Sequence, residues 1–269
     1  MQIENGLVLS LVSAGIFMTV LYLIAQIRRD TSIVDIAWGL GFFVIALNLS
    51  LQGDEVNDVF SLVHLLVAIW GIRLFIHILL RKAGSEEDWR YAKWRQQWGK
   101  NHWWRSFLQV FMLQGVLMVA IAAPLYVAWS SADTNVNGLA VVGTLIWALG
   151  FFFETVGDYQ LAQFLKEKRA ALKSSKKKKP KKEFMTLGLW KYTRHPNYFG
   201  EVTQWWGLWV VVASLPYGLF AVVSPLIITF LLLKVSGIPM LEDKWEDNKE
   251  FKKYKQRTNA FFPGPPRKK

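Results

Sequence analysis

The sequence predicts an all-α integral membrane protein with seven transmembrane helices. Hydrophobic residues make up 52% of the 269 residues, tryptophan occurs 14 times, and the apolar residues gather in runs near the roughly 20 residues that span a bilayer. Loops rich in lysine and arginine alternate with loops that hold none, as in polytopic membrane proteins. The predicted spans are Leu7–Ile27, Ile33–Leu51, Phe60–Leu80, Phe107–Trp129, Gly138–Tyr159, Tyr198–Ala213 and Leu219–Val235.

The charges in the loops predict the orientation of the chain. Lysine and arginine are concentrated directly after the first span, in the loops Arg81–Arg105 and Lys166–Arg194, and in the tail from Lys234. The opposite loops, "QGDEVND", "SSADTNVNG" and "LPYG", contain neither residue. The positive-inside rule therefore predicts an N-terminus outside the membrane and a C-terminus in the cytoplasm.

The composition excludes several classes of function. The chain has no cysteine, which excludes disulfides, thiolate nucleophiles and cysteine-ligated metals. No spacing of histidine and carboxylates resembles a metal site, so we expect no metal. The net charge is +12, but the run "KKKKPKK" (Lys176–Lys182) lies on the predicted cytoplasmic side of a membrane protein. We interpret it as a loop facing lipid headgroups, with a role beside an anionic ligand as the alternative, and we expect no nucleic-acid partner.

Ionisable residues inside the predicted spans mark a candidate site, because charge is costly to place in a bilayer. Only His64 lies in the outer half of its span, whereas the others lie near the predicted cytoplasmic ends of four spans. This shared depth predicts a site that opens to the cytoplasm, and charges scattered at helix ends are the alternative explanation. These residues are Asp35, Arg73, His77, Glu154, Asp158 and Glu201.

Glycine and tryptophan motifs favour structural interpretations. The "GLG" of Gly39–Gly41 lies inside a span and follows no strand, so it predicts helix packing rather than a dinucleotide-binding loop. The aromatic motifs "NHWWR" (Asn101–Arg105) and "WWGLW" (Trp205–Trp209) could stack a planar ligand. Tryptophan is commoner in the aromatic belts at membrane interfaces, and we expect both motifs to belong to such belts.

The stretch "LGLWKYTRHPNYFGEVTQWWGLW" (Leu187–Trp209) resembles the signature of membrane-embedded steroid 5α-reductases and sterol reductases. "YKQRTNAFFP" (Tyr254–Pro263) resembles the closing segment of that superfamily, and "GDYQLAQF" (Gly157–Phe164) and "LQG" (Leu113–Gly115) match shorter parts of it. "DTSIVDIAWG" (Asp30–Gly39) is similar to an uncharacterised bacterial branch, which implies a bacterial inner-membrane protein.

The resemblance implies one monomeric membrane domain that takes NADPH from the cytoplasm. Residues from about 131 to 269 would bind the cofactor, and residues from about 1 to 130 would enclose a lipophilic substrate among membrane lipids. Arginine forks and lysines suit phosphates, so the basic loops favour NADPH over NADH. The cofactor-binding residues that the resemblance implies are Arg73, Arg81, Arg105, Asp158, Tyr192, Arg194, His195, Asn197, Tyr198, Glu201, Trp205 and Arg257.

The resemblance also implies where the substrate carbonyl is polarised. Steroid reductases use a Gln–Glu pair in the second span and a tyrosine in the third. This chain has Asp35 and Trp38 in the second span, with Trp70 and His77 in the third, and these four are the candidate catalytic residues. A tryptophan cannot donate a proton to an oxyanion as a tyrosine can, so the motifs support the cofactor site better than they support a steroid substrate.

The implied activity is an NADPH-dependent reduction of the C=C bond of a lipophilic conjugated enone, such as a 3-oxo-Δ4 steroid. An S-adenosylmethionine-dependent isoprenylcysteine or phospholipid methyltransferase is the alternative, because those enzymes share the "RHPxYxG" turn. They also carry a glutamate pair that "MLEDKWED" (Met240–Asp247) partly matches. A non-enzymatic lipid binder is the third possibility.

The "RHPNYFGE" turn predicts a relay toward the nicotinamide. Pro196 disfavours helix before it and can begin a new one, which places Asn197 and Glu201 on one helical face. We expect Glu201 to fix the Asn197 amide and Asn197 to bind the nicotinamide carboxamide. The alternative is that Asn197 caps the helix and Glu201 complements its positive N-terminal end.

Overall fold

The computed structural model describes residues 2–52, 57–84, 86–132, 135–173 and 183–267, and these residues form no β-strand. The basic run Lys176–Lys182 lies outside the described residues. The α-helices are α1 (Gln2–Arg28), α2 (Ile33–Ser50), α3 (Asp58–Lys82), α4 (Trp89–Trp98), α5 (His102–Ser106), α6 (Leu113–Ile121), α7 (Ala123–Trp129), α8 (Gly138–Lys173), α9 (Pro196–Val212), α10 (Val223–Phe230), α11 (Ile238–Glu242) and α12 (Lys249–Arg257).

Six helical segments within the described residues are long and apolar enough to cross a membrane. The prediction of an all-α integral membrane protein is therefore confirmed. The predicted sixth span, Tyr198–Ala213, coincides with α9, which has 17 residues and is not one of the six. The six segments are Gln2–Arg28, Ile33–Ser50, Asp58–Lys82, Trp89–Ile121, Gly138–Ala171 and Gly218–Trp245.

The chain forms two compact units. The first unit comprises Met1–Gly143 and Leu208–Ile227, and the second comprises Thr144–Gly207 and Ile228–Lys269. The C-terminal part of α9 and most of α10 belong to the first unit, because those helical turns pack there.

In the first unit, α2 and α3 cross at a pair of glycines. A Cβ atom on Gly39 would lie 2.5 Å from the carbonyl oxygen of Gly71, so no larger residue fits at this crossing. Gly41 leaves room for the Met118 side chain of α6 in the same way. The prediction that the "GLG" motif serves helix packing is confirmed.

In the second unit, α8 and α9 cross in the same manner. A Cβ atom on Gly150 would lie 2.6 Å from the carbonyl oxygen of Gly200, and one on Gly157 would lie 3.1 Å from the Pro196 ring. The close approach brings the short polar side chains of the two helices into contact along one seam. α9 begins at Pro196, whose missing N–H is not needed in the first helical turn.

Candidate functional site

In the second unit, the C-terminal segment lies against the turn that precedes α9. Thr193 and Asn259 form an isolated parallel β-bridge, and Arg194 N donates to Asn259 O at 2.9 Å. The Thr193 hydroxyl donates to Phe261 O at 2.7 Å, and Gly264 N donates to Tyr192 O at 3.0 Å. The two motifs that resemble the reductase superfamily are therefore in direct contact.

A buried ion network joins this turn to α11. Arg194 Nε donates to Glu242 Oε1 at 2.8 Å and Arg194 Nη2 donates to Oε2 at 3.2 Å, so the pair is bidentate. Lys255 Nζ lies 3.1 Å from the same carboxylate. Arg194 and Glu242 are each 8% exposed. Each oxygen of the Glu242 carboxylate has a cationic partner, and we interpret the network as the anchor that holds the turn in place.

His195 belongs to the same network. Its Nε2 lies 3.0 Å from Glu242 Oε1, and its ring stacks on Tyr198 with 5.5 Å between the ring centroids. Burial lowers the pKa of His195, and this effect outweighs the hydrogen bond and the charge of Glu242, which raise it. The ring is therefore neutral at pH 7, with Nε2 as the donor to Glu242. The buried Nδ1 atom has no hydrogen-bond partner among the described residues.

The α8–α9 seam holds a carboxylate–amide pair. Asn197 Nδ2 donates to Asp158 Oδ1 at 3.1 Å, and Asp158 is 5% exposed. Asn197 Oδ1 is buried and accepts no hydrogen bond from the described residues. Asp158 thus accepts from the nitrogen of the Asn197 amide, and the buried oxygen of that amide is left as an acceptor for a ligand or water. Glu201, to which the sequence assigned this positioning role, is half-buried on the same helix.

A second carboxylate–amide pair lies deeper along the seam. Gln204 Nε2 donates to Glu154 Oε2 at 2.5 Å, and both side chains are almost wholly buried. Gln204 Oε1 accepts no hydrogen bond from the described residues. Gln204 was missing from the sequence-based site, although it lies within the quoted motif. Its polar side chain next to the apolar run that follows it in α9 was the signal that could have identified it.

The remaining predicted residues of the second unit occupy different environments. Trp205 is buried, Tyr192 is 44% exposed, and Arg257 is exposed on α12 with its carbonyl oxygen accepting from Arg267 N. Tyr254, which was not predicted, donates its hydroxyl to Trp190 O. Burial raises the pKa of Tyr254, so this hydroxyl stays protonated at physiological pH.

In the first unit, Asp35 is the centre of a polar cluster. Arg90 Nη2 donates to Asp35 Oδ2 at 2.6 Å, and the Tyr91 hydroxyl donates to Asp35 Oδ1 at 2.6 Å. Arg90 and Tyr91 were missed from sequence, because nothing local to "DWRYAKW" indicates a contact with a residue 55 positions earlier.

A second ion pair supports this cluster. Arg95 donates to both oxygens of Glu87, at 2.8 and 3.0 Å, and Thr31 N donates to Glu87 Oε1 at 2.7 Å. Burial raises the pKa of Glu87, but the hydrogen bonds from Arg95 and Thr31 outweigh burial, so the pKa lies below its ordinary value. Glu87 is therefore ionised at pH 7 and fixes the start of α4 against the turn before α2.

The other predicted residues of the first unit do not join the Asp35 cluster through the contacts described above. Trp38 and the buried Trp70 both pack edge-on against Phe42. Arg105 lies 5.4 Å from the centroid of the Trp104 ring. Arg73 and His77 are half-buried on α3, and Arg81 is exposed.

Comparisons with known proteins identify a family. A family model described as "Protein of unknown function (DUF1295)" matches residues 21–258. No curated protein and no solved structure matches the chain.

Proposed function

The chain belongs to the DUF1295 family, and we propose that it is an NADPH-dependent reductase of a lipophilic conjugated enone, with a 3-oxo-Δ4 steroid as a representative substrate. The proposal rests on the carboxylate–amide pair of the α8–α9 seam together with the motifs that resemble steroid reductases. The observation that carries it is the buried Oδ1 atom of Asn197.

The Asn197 side chain fits a carboxamide. Because Asp158 accepts from Asn197 Nδ2, the orientation of the Asn197 amide is fixed and its Oδ1 is left as an acceptor. A buried acceptor without a donor costs about 1–3 kcal/mol, so such atoms are rare unless a ligand or water completes them. The N–H₂ group of a nicotinamide carboxamide is a donor of the required kind.

NADPH, when bound, would supply the hydride that reduces the C=C bond. Asn197 and Asp158 would hold the nicotinamide ring in a single orientation, which is the main contribution that positioning makes to such a reaction. The anchored Arg194–Glu242 network would keep the start of α9, and with it Asn197, in place.

Tyr91 is the proton donor in this proposal. Its hydroxyl would donate to the substrate carbonyl and stabilise the developing enolate, a task that Trp70 cannot perform. Asp35 would keep Arg90 as its partner when the Tyr91 hydroxyl turns to the substrate. The charge of the Asp35 carboxylate would thus stay compensated throughout the reaction.

The basic residues near the end of α8 favour NADPH over NADH. Lys166 and Arg169 are exposed there, and both lie within the predicted cytoplasmic loop. A charge-assisted contact to the 2′-phosphate is worth about 1.5–3 kcal/mol, which corresponds to roughly ten- to hundredfold in affinity. We expect this difference between the Kd values of NADPH and NADH.

The proposed topology has seven spans, with α9 as the additional short span, an outside N-terminus and a cytoplasmic C-terminus. It rests on the one-sided distribution of lysine and arginine. It also places the cofactor site at the cytoplasmic face of a bacterial inner membrane. A reporter protein fused after Lys269 should be active in the cytoplasm, and an external location of that reporter would refute the topology.

The experiment that tests the function is cofactor binding by calorimetry on detergent-purified protein, with NADPH, NADH and S-adenosylmethionine as separate ligands. We expect NADPH to bind most tightly. Binding of S-adenosylmethionine alone would instead support the methyltransferase. Binding of none of the three would favour a non-enzymatic lipid binder. Oxidation of NADPH on addition of a 3-oxo-Δ4 steroid would then identify the reaction.

A further inference from the structure

The second unit contains an apolar groove. Of its lining residues, only Tyr192 is among the cofactor-binding residues that the resemblance implies. The volume of the groove is about 290 Å³. One wall comes from α8, and the others come from the turn before α9 and the proline-rich tail. The groove is lined by Phe153, Leu189, Tyr192, Pro263, Gly264 and Pro265, and none of these carries a charge.

The groove lies next to large apolar side chains that are exposed on the surface of the protein. Phe153 lies in the candidate span Gly138–Ala171, and its neighbour Phe152 is 52% exposed. Leu187 lies two residues before Leu189 in the sequence and is 60% exposed, and Phe262 directly precedes Pro263 and is 70% exposed. Large apolar side chains exposed next to an apolar groove are the features expected of a surface in contact with lipid.

Two cations lie beside the lining residues. Lys191 Nζ is 5.8 Å from the centroid of the Tyr192 ring, which is part of the lining. Arg267 follows Pro265 by two residues, and its Nη2 donates to Asn259 Oδ1 at 3.4 Å. Both side chains are exposed. An apolar groove with cations at its edge is complementary to a molecule with an apolar chain and an anionic head.

We propose that this groove binds one acyl chain of an anionic phospholipid, and that Lys191 and Arg267 contact its headgroup phosphate. The volume lies just below the roughly 300–1,000 Å³ of pockets that enclose a whole small molecule, so the groove takes part of a chain. A neutral enone has no anionic group to pair with these cations. The groove is therefore distinct from the site of the proposed enone substrate, and the lipid proposal does not depend on the proposed reaction.

The chain offers a substitution that fills the groove while leaving its framework intact. Leu189 is held through its backbone, since Leu189 N donates to Gln160 Oε1 at 2.9 Å. Trp190 Nε1 donates to Gly157 O at 3.1 Å and anchors the same turn. Leu189→Trp adds bulk into the groove without removing either bond. Leu187→Trp is the matched control, because Leu187 is exposed and does not line the groove.

The test is native mass spectrometry of delipidated protein in detergent, titrated with dioleoylphosphatidylglycerol or dioleoylphosphatidylcholine. We expect one phosphatidylglycerol to bind more tightly than phosphatidylcholine. Leu189→Trp should weaken this binding at least about tenfold, and the pair Lys191→Gln with Arg267→Gln should weaken it about fivefold for each cation. The pair Lys249→Gln with Lys252→Gln on α12 removes the same charge elsewhere and should have no effect.

Equal binding of the two lipids, or binding of phosphatidylglycerol that survives Leu189→Trp, would overturn the proposal. Equal losses in the groove variants and their controls would also overturn it. Leu189→Phe replaces Leu189→Trp if the larger side chain prevents folding, which size-exclusion chromatography reports. NADPH affinity measured on the same variants should not change, so failure of the lipid site and failure of the reductase proposal are distinguishable.

Discussion

Asp35 in the first unit and Asp158 in the second unit are both carboxylates on apolar helices, but their partners differ. Asp35 accepts hydrogen bonds from a charged guanidinium and a phenol, both at 2.6 Å. Asp158 accepts a hydrogen bond from the neutral amide of Asn197 at 3.1 Å, and the oxygen of that amide has no donor among the described residues. The first arrangement neutralises a charge, whereas the second positions an acceptor.

This difference separates two kinds of polar group in an apolar protein. A satisfied ion pair such as Asp35–Arg90 stabilises the fold around it, and in the proposed reaction the adjoining Tyr91 would donate a proton to the substrate. An amide with a buried free carbonyl oxygen loses free energy in the absence of a ligand, so it is expected where a ligand binds. The two clusters therefore have separable roles, and variants in each should change different measurements.

The largest expected effect comes from breaking a satisfied ion network. Glu242→Gln leaves Arg194 buried without a charged partner, which typically costs about 3–5 kcal/mol of stability. The readout is thermal unfolding in detergent. Glu250→Gln is the matched control, because its pair with Lys253 is exposed and should be worth about 0–1 kcal/mol. Equal losses in the two variants would show that the Arg194 network is no anchor.

Tyr91→Phe tests the role of the first unit. The variant keeps the ring and removes only the hydroxyl, so turnover with NADPH and an enone should fall about 100-fold, a typical loss for a missing proton donor. The Kd of NADPH should not change. Tyr22→Phe is the control, because the Tyr22 hydroxyl donates to the backbone oxygen of Trp103 at 3.1 Å and not to Asp35. Unchanged turnover in Tyr91→Phe would limit Tyr91 to a structural role.

Asn197→Leu tests the role of the second unit. It removes the free acceptor, so the Kd of NADPH should rise roughly ten- to hundredfold. It also removes the donor to the buried Asp158 carboxylate, so the protein without cofactor should lose about 1–3 kcal/mol of stability. Thr203→Val on the same helix is the control, since the Thr203 hydroxyl donates to the backbone oxygen of Phe199, one turn earlier. An equal Kd in both variants would contradict the assignment of Asn197.

The sequence predicted the helices better than it predicted their ends. Apolar runs identified α8, but the predicted span stops at Tyr159 and the helix continues to Lys173. The residues after Tyr159 are too polar for the bilayer core, but they still form helix. Hydropathy detects where the chain leaves the bilayer and does not detect where the helix ends. Similarly, the segment that the sequence began at Phe107 is helical from Trp89, because the amphipathic turns of α4 precede the apolar run.

The residues of the candidate site were also predicted only in part, because local sequence patterns do not report contacts between distant residues. Asp158 and Asn197 were identified because both lie in recognisable motifs, and the structure shows that they touch. Tyr91 and Gln204 were missed, because the contacts that define them join residues 56 and 50 positions apart. No local pattern reports such contacts. The contact between Gln204 and Glu154, for example, depends on the close crossing of α8 and α9 at Gly150 and Gly200.

Glu201→Gln asks whether one or two carboxylates orient Asn197. Asp158 already accepts from the Asn197 amide, so we expect Glu201→Gln to weaken NADPH binding about threefold to tenfold, less than Asn197→Leu does. The change keeps the shape of the side chain and its position on α9. Calorimetric titration with NADPH gives the answer, and an unchanged Kd would remove Glu201 from the site.

The smallest expected effect is a dependence of stability on pH through His195. Burial keeps the pKa of folded His195 below its ordinary value of 6.5, so between these two values the unfolded chain binds a proton that the folded chain does not. Stability should therefore be constant above about pH 6.5 and fall on acidification below it, by at most about 1.4 kcal/mol per pH unit for this one group.

The charges of Glu242, Arg194 and Lys255 surround the ring, so the contribution of His195 has to be isolated by substitution. His195→Gln keeps a donor toward Glu242 and removes the titration, and thermal unfolding between pH 5 and 8 should then show a shallower slope below about pH 6.5. The same slope in both proteins would mean that other groups carry the dependence, and the ring of His195 would then act in the anchor through packing on Tyr198 alone.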